Sequence, residues 1–371
     1  MRTAIVLTGG GARGAYQAGA LRALFEIAKE EHRLDVFQNL VGISAGSINA
    51  AFLASRMDDL DGATARLCEM WRNIKITDVF RSDTLSFSKT GFKLLKSLTL
   101  GGFSGKLRSD KMGLLDTRPL NRLIEENTDF NQIERFCHEG RLESLCVTAT
   151  DYATSINVTF FSGRANINDW TRHLRQSLRT HLSADHVMAS TAIPIFFPPW
   201  AVRGRYFGDG CLRNTAPLSP AIHVGAEKII VIGVRRLRKV TLTEEYISPS
   251  IGRILSVIIN SVFMDSIDND IERTEFVNHI LKKYKEPQGA LRPIELFYQT
   301  PSVTISDLAA EYEDRLPQMF RFLMGGLGSP KESSEILSYL TFVSSYCTNL
   351  IELGYSDLMN RKEKLQTFLR G

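Results

Sequence analysis

Gly42-Ile43-Ser44-Ala45-Gly46 sets a serine between two glycines, a spacing suited to nucleophilic chemistry. The apolar run Leu40–Ile43 reads as the end of a buried strand, and Ser44–Ala54 (SAGSINAAFLA) as a helix that starts without a loop. A strand that turns straight into a helix forces its hinge residue into a strained conformation. Gly42 and Gly46 supply the room that lets the two elements approach. The strain holds the Ser44 hydroxyl above the sheet at a helix N-terminus, where partial positive charge favours a developing alkoxide.

A second constellation, Gly9-Gly10-Gly11-Ala12-Arg13-Gly14, follows the apolar run Ala4–Leu7 and precedes a helical pattern over Gly14–Lys29. Its Gly-x-Gly-x-x-Gly spacing is also the dinucleotide fingerprint, which needs an acidic residue at the end of the second strand, about 20 residues on. Here that strand ends in Gly42-Ile43-Ser44, and the nearby acids Glu30, Glu31 and Asp35 precede it. The nucleotide reading fails, and neither a cofactor nor a metal is called for. Glycines without side chains also leave backbone N–H groups free to face a carbonyl oxygen that turns negative during acyl transfer. This oxyanion hole is the preferred reading of Gly9, Gly10, Gly11, Arg13 and Gly14.

Ser44 needs a base. A conventional triad would use a histidine oriented by an acid. None of the seven histidines sits in a Gly- or Pro-flanked loop after a late core strand; His223 comes closest. Asp209 is the better placed group, at a sharp Gly208-Asp209-Gly210 turn after a predicted strand, although Asp-Gly is also an ordinary turn. An unperturbed aspartate, with a pKa of about 3.9, matches a serine hydroxyl poorly. A serine–aspartate pair would therefore rely on geometry, the helix N-terminus and the glycine loop.

The elements that must position these groups are legible in the apolar pattern. Ala4–Leu7, a helix, Leu40–Ile43 and another helix give a β-α-β-α opening, which argues for a parallel sheet with helices on both faces. Further strands are predicted at Leu145–Thr150, Ile156–Phe161, Val202–Phe207 and Lys228–Val234, with helices at Ala63–Arg72, from Pro119, and at His186–Ala192. Thr117 is placed to cap the helix that Pro119 opens. From about residue 241 the pattern turns mostly helical: Ile251–Met264, Ile305–Leu323, Glu335–Phe342 and Leu358–Leu369, interrupted by one strand-like run, Ile294–Tyr298. A soft boundary falls near 240, between a catalytic region 1–240 and a helical region 241–371.

Length and composition set the outer bounds. The 371 residues suffice for one elaborated α/β domain or two domains, and a net charge of +4 is too small to argue for nucleic acid. The five cysteines are scattered without a Cys-x-x-Cys, as expected of reduced thiols in a cytoplasmic protein. No apolar stretch is long enough to span a bilayer. The short apolar start is not read as a signal peptide, because cleavage would remove the first strand and the glycine loop.

Taken together, GGGARGAYQAG, GISAGS, and ASTAIPIFFPP followed by an Asp-Gly resemble the patatin-like phospholipase family, over roughly residues 4 to 235. The resemblance implies a three-layer α/β/α sandwich with a mostly parallel sheet. It also implies calcium-independent hydrolysis of acyl esters in glycerolipids and phospholipids. Ser44 is then the nucleophile, Asp209 the base, and Gly10, Gly11 and Gly14 line the oxyanion loop. Arg13 matches the family's arginine, steadying that loop or a lipid phosphate. Cys211 after Gly210 departs from the usual Asp-Gly-Gly or Asp-Gly-Ala. An acyltransferase would share every one of these residues, and a lipid-binding regulatory protein could keep them silent.

Residues 74–112 break the α/β pattern and suggest a lid-like insertion. Between 80 and 111, seven Lys and Arg residues face two aspartates, with phenylalanines and leucines interleaved. Phe92, Leu95 and Leu98 share a helical face from which Lys93 and Lys96 are excluded. Two readings stand: a patch that meets an anionic bilayer, and a cap helix with a solvated basic side. Lipid is thus the expected substrate, and peripheral membrane contact an open expectation.

Overall fold

Thr3–Leu7, Asn39–Ile43 and Lys228–Ile232 are buried along their whole length, as parallel strands must be when helices cover both faces of a sheet. The computed structural model describes residues 1–81, 113, 115–236, 250–263, 265–284, 291–316, 321 and 330–371. Its strands are β1 (Thr3–Leu7), β2 (Asn39–Ile43), β3 (Ser144–Asp151), β4 (Asn157–Gly163), β5 (Thr171–Arg172), β6 (Arg175–Arg179), β7 (Trp200–Val202), β8 (Arg205–Gly208), β9 (Lys228–Ile232) and β10 (Glu295–Gln299). They form one mixed sheet in the order β10-β9-β1-β2-β3-β4-β6-β5. The run from β10 to β3 is parallel, β4 turns back on β3, and the β7–β8 hairpin docks antiparallel on the end of β3.

Alternation along each strand sorts the side chains into two cores. Ile5, Leu7 and Leu40 belong to one; Ala4, Val6 and Val41 belong to the other. The first core is closed by α1 (Gly14–Glu30), α2 (Ala45–Ala54), α3 (Leu60–Asn73), α4 (Arg118–Asn127), α5 (Phe130–Glu139) and α6 (Ala184–Ser190). The second is closed by α7 (Ser219–His223). Beyond it, α8 (Ile251–Phe263) lends Phe263 to the first core and α9 (Asp265–Tyr284) covers the second. Finally α10 (Pro330–Leu340), α11 (Ser344–Met359) and α12 (Lys362–Arg370) return to the first. The result is the three-layer α/β/α sandwich with a mostly parallel sheet, followed by a helical C-terminal region.

Several elements differ from the sequence expectation. Val202–Phe207 is a hairpin turn and not one strand: Arg203 and Gly204 carry φ of 49° and 78° at the bend between β7 and β8. Two such residues make the short loop whose twist suits a hairpin. The helix expected over His186–Ala192 runs instead from Ala184 to Ser190. Leu358–Leu369 divides at Asn360–Arg361 into the end of α11 and α12. Within Ile305–Leu323 the described residues hold a helix at Ile305–Ala310, a 3-10 turn at Glu313–Arg315 and a helical Arg321, with residues 317–320 and 322–323 outside the described residues. Thr117 does stand at the start of α4, but its side chain makes no capping hydrogen bond. Residues 82–112, which hold nearly all of the lid-like insertion and its basic patch, lie outside the described residues.

Candidate active site

One residue separates β2 from α2, and it is Ser44. With no loop to spread the change of direction, its backbone takes φ 53° and ψ −128°, a region that a side-chain-bearing residue rarely occupies. The flanking glycines are required by contact. A Cβ on Gly42 would stand 2.4 Å from the Ser47 Cα, and one on Gly46 would stand 2.2 Å from the Leu7 carbonyl oxygen.

Asp209 reaches the same place from the opposite direction. Because β8 runs antiparallel to β3, with Gly208 opposite Thr150, the chain leaves β8 toward the carboxyl end of β2. The Ser44 Oγ donates to Asp209 Oδ2 at 2.6 Å, and the Cys211 N–H donates to Oδ1 at 2.9 Å. Gly210 lies so close to β3 that a Cβ there would stand 2.1 Å from the Thr148 carbonyl oxygen. The departure at Cys211 is accommodated, its sulfur packing against Gly9, where a Cβ would meet it at 2.5 Å.

Asp209 is wholly buried, and burial raises its pKa to about 6. The hydrogen bonds from Ser44 and the Cys211 backbone offset part of that rise. A carboxyl titrating there suits a proton acceptor near neutral pH far better than an ordinary aspartate does.

The glycine loop leaves β1 at the same sheet edge and tightens into a 3-10 turn at Gly11–Arg13. The N–H of Arg13 donates to the Gly10 carbonyl at 3.1 Å, and that of Gly14 closes onto Gly11 and Ala12. The N–H of Gly9 faces the Cys211 sulfur. Those groups are thus engaged within the fold. Among the described residues, the N–H groups of Gly10 and Gly11 donate to no protein acceptor. Asn49 of α2 ties the loop to the elbow by donating to the Gly14 carbonyl at 3.0 Å.

The Arg13 guanidinium is buried and turned away from the cavity, toward α10. It donates to Glu335 and Ser338 and lies over the Tyr339 ring at 4.6 Å. Of the two roles expected for it, steadying the loop agrees with this placement, whereas contact with a lipid phosphate does not. His223, the runner-up base, stacks on Trp170 at 4.9 Å in the core on the other face of the sheet from α2. The structure does not bring it to Ser44.

Two groups of residues escape a reading of the sequence. Ser190 accepts from the Ser44 N–H at 2.9 Å and donates to the Thr148 carbonyl at 2.6 Å, while its own carbonyl accepts from the Gly210 N–H at 3.1 Å. A hydroxyl within the small-residue run before Pro194 was its only signal. The second group lines a narrow apolar cavity, in which Ser44 and Gly11 meet Ile48, Trp71, Phe197 and Phe342. Nothing in local spacing announces Trp71 or Phe342.

Residues 5–222 match the patatin-like phospholipase family. No curated protein matches the chain. Among solved structures, VipD from Legionella pneumophila is similar at 12% identity and a TM-score of 0.34, covering 98% of this chain and 67% of its own. Human GIVD cytosolic phospholipase A2, solved with methyl gamma-linolenyl fluorophosphonate, is similar at 13% identity and a TM-score of 0.45, with coverages of 99% and 59%. The chain thus spans under two thirds of that enzyme's length. ExoU from Pseudomonas aeruginosa, solved with SpcU, gives 20% identity and a TM-score of 0.24, with coverages of 44% and 35%. The family match runs from β1 into α7, over more than half of the sequence, and the chain belongs to the patatin-like phospholipase family.

Proposed function

We propose that this lipid hydrolase cleaves fatty-acyl esters of phospholipids or related glycerolipids through a Ser44–Asp209 dyad and an acyl-enzyme intermediate. One observation carries the reading: the 2.6 Å hydrogen bond to Asp209 Oδ2 from Ser44 Oγ, which lines an apolar cavity. The acyl chain lies along Ile48, Trp71 and Phe342, which puts its ester carbonyl beside Ser44.

Asp209 accepts the Ser44 proton as Oγ bonds to the carbonyl carbon. The carbonyl oxygen becomes an oxyanion and is held by the N–H groups of Gly10 and Gly11. Collapse breaks the bond to the alcohol portion, which leaves with the proton that Asp209 held. Water then attacks the acyl-Ser44 carbonyl and yields a proton to Asp209. The second collapse releases the fatty acid and returns that proton to Ser44 Oγ.

A fluorophosphonate probe tests this directly, because it bonds only to an activated serine. The label is expected on Ser44 and absent from S44A. Fatty-acid release should drop by about 10³-fold or more in S44A and D209N, with both proteins folded. Full activity in either variant would refute the dyad.

A further inference from the structure

The residues that partner Arg13 lie far beyond the segment matched to the family, and the contact is dense. Arg13 is 2% exposed and carries a full charge. Its Nε donates to Ser338 Oγ at 2.9 Å, and its terminal nitrogen pairs with Glu335 Oε2 at 2.5 Å. Ser306 Oγ donates to the other Glu335 oxygen at 2.8 Å, which fixes the carboxylate from its far side. The Ser338 hydroxyl also donates to the Glu335 carbonyl at 2.6 Å, so both partners are locked onto one turn of α10.

The same helix touches the loop's backbone. Gly11 has φ of +56°, and a Cβ there would stand 2.2 Å from the Tyr339 carbonyl oxygen. Two residues on, the Arg13 N–H closes the turn onto the Gly10 carbonyl. Displacing the Arg13 side chain would therefore strain the turn whose Gly10 and Gly11 N–H groups donate to no protein acceptor among the described residues. A buried guanidinium without a carboxylate has strong reason to move, since an unpaired charge is poorly tolerated in a dry interior.

We infer that Glu335 and Ser338 are positioning residues for the reaction, acting through Arg13 to aim the Gly10 and Gly11 amides at the developing oxyanion. This role rests on the dyad reading above. It makes α10 part of the working site, although α10 supplies no group that touches the reacting atoms.

The test measures turnover of a soluble chromogenic ester by wild type, E335Q, E335D and S338A. Each rate is divided by the concentration of sites that fluorophosphonate labels. Loss of an aimed amide acts on the transition state, so E335Q should lower kcat per labelled site by about 10²-fold with KM changed little. E335D should recover part of that loss, and S338A should fall between E335D and E335Q. Thermal melting is recorded alongside, and should E335Q fail to fold, S338A and E335D carry the comparison. A lower melting temperature with unchanged kcat per labelled site would overturn the proposal, because a merely structural contact behaves that way. Wild-type protein that takes no label and turns over no ester would sink the dyad reading, and this role with it. An active wild type whose variants keep full kcat would sink this role alone.

Discussion

Asp209 shows how burial changes what a residue can do. In the folded protein its carboxyl titrates at about 6, whereas in the unfolded chain it behaves as an ordinary aspartate at about 3.9. Between those pH values the unfolded chain binds fewer protons than the folded one, so stability falls as pH rises through the window and is flat beyond it. The displacement corresponds to roughly 3 kcal/mol. D209N does not titrate. Its stability relative to wild type should therefore grow by about 2 kcal/mol between pH 4 and pH 7, measured by urea unfolding at both ends. A gap that stays constant would mean that the carboxylate ionises without penalty. Activity moves the other way: kcat/KM of the wild type should rise with pH along an acid limb near 6, because only the ionised group accepts a proton. S44A removes a hydroxyl that favours the carboxylate, and should shift the stability window upward.

At the scale of elements, the site depends on close approaches that glycine permits. Helix α1 packs along α11, and the pair crosses at two glycines. A Cβ on Gly19 would stand 1.9 Å from the Ile351 carbonyl oxygen, and one on Gly354 would stand 2.0 Å from the Tyr16 carbonyl oxygen. Because α1 continues directly from the glycine loop, any splay of this pair is passed to Gly10 and Gly11. G354V is expected to cost about 3 kcal/mol or more, the upper range for overpacking, seen as a lower urea midpoint. Activity at low temperature should fall as well, since the loop shares the displaced helix. A variant that melts early but keeps full kcat would show that loop and helix are mechanically separate.

Over the whole molecule, the C-terminal third adds an edge strand and a large part of one core. β10 extends the parallel sheet beside β9, with Gln299 opposite Ile232, and Leu350, Ile351, Leu365 and Leu369 are buried in the first core. Removing residues 291–371 would expose the edge of β9 and strip that core. The truncated chain should be aggregated or unfolded by size-exclusion chromatography and circular dichroism. A monomeric, folded fragment would show that the first 290 residues stand alone. Among the described residues, no helix is long and apolar enough to cross a membrane.

The sequence by itself determined what is local. A strand ending in three glycines, a serine at a strand-to-helix junction and an Asp-Gly turn each depend on neighbours a few residues away. Backbone chemistry therefore writes them directly into the chain. The α/β alternation that builds the sheet is legible for the same reason, whereas the β7–β8 bend at Arg203-Gly204 reads as the middle of one strand, and no local pattern marks α5, α9 or most of α11. Only the tertiary structure decided what depends on distance in sequence. It closed the 2.6 Å contact between residues 165 apart, buried Asp209 and so raised the pKa of its carboxyl, and set Glu335 against Arg13. Those contacts belong to two surfaces at once, and periodicity or composition can report only one of them.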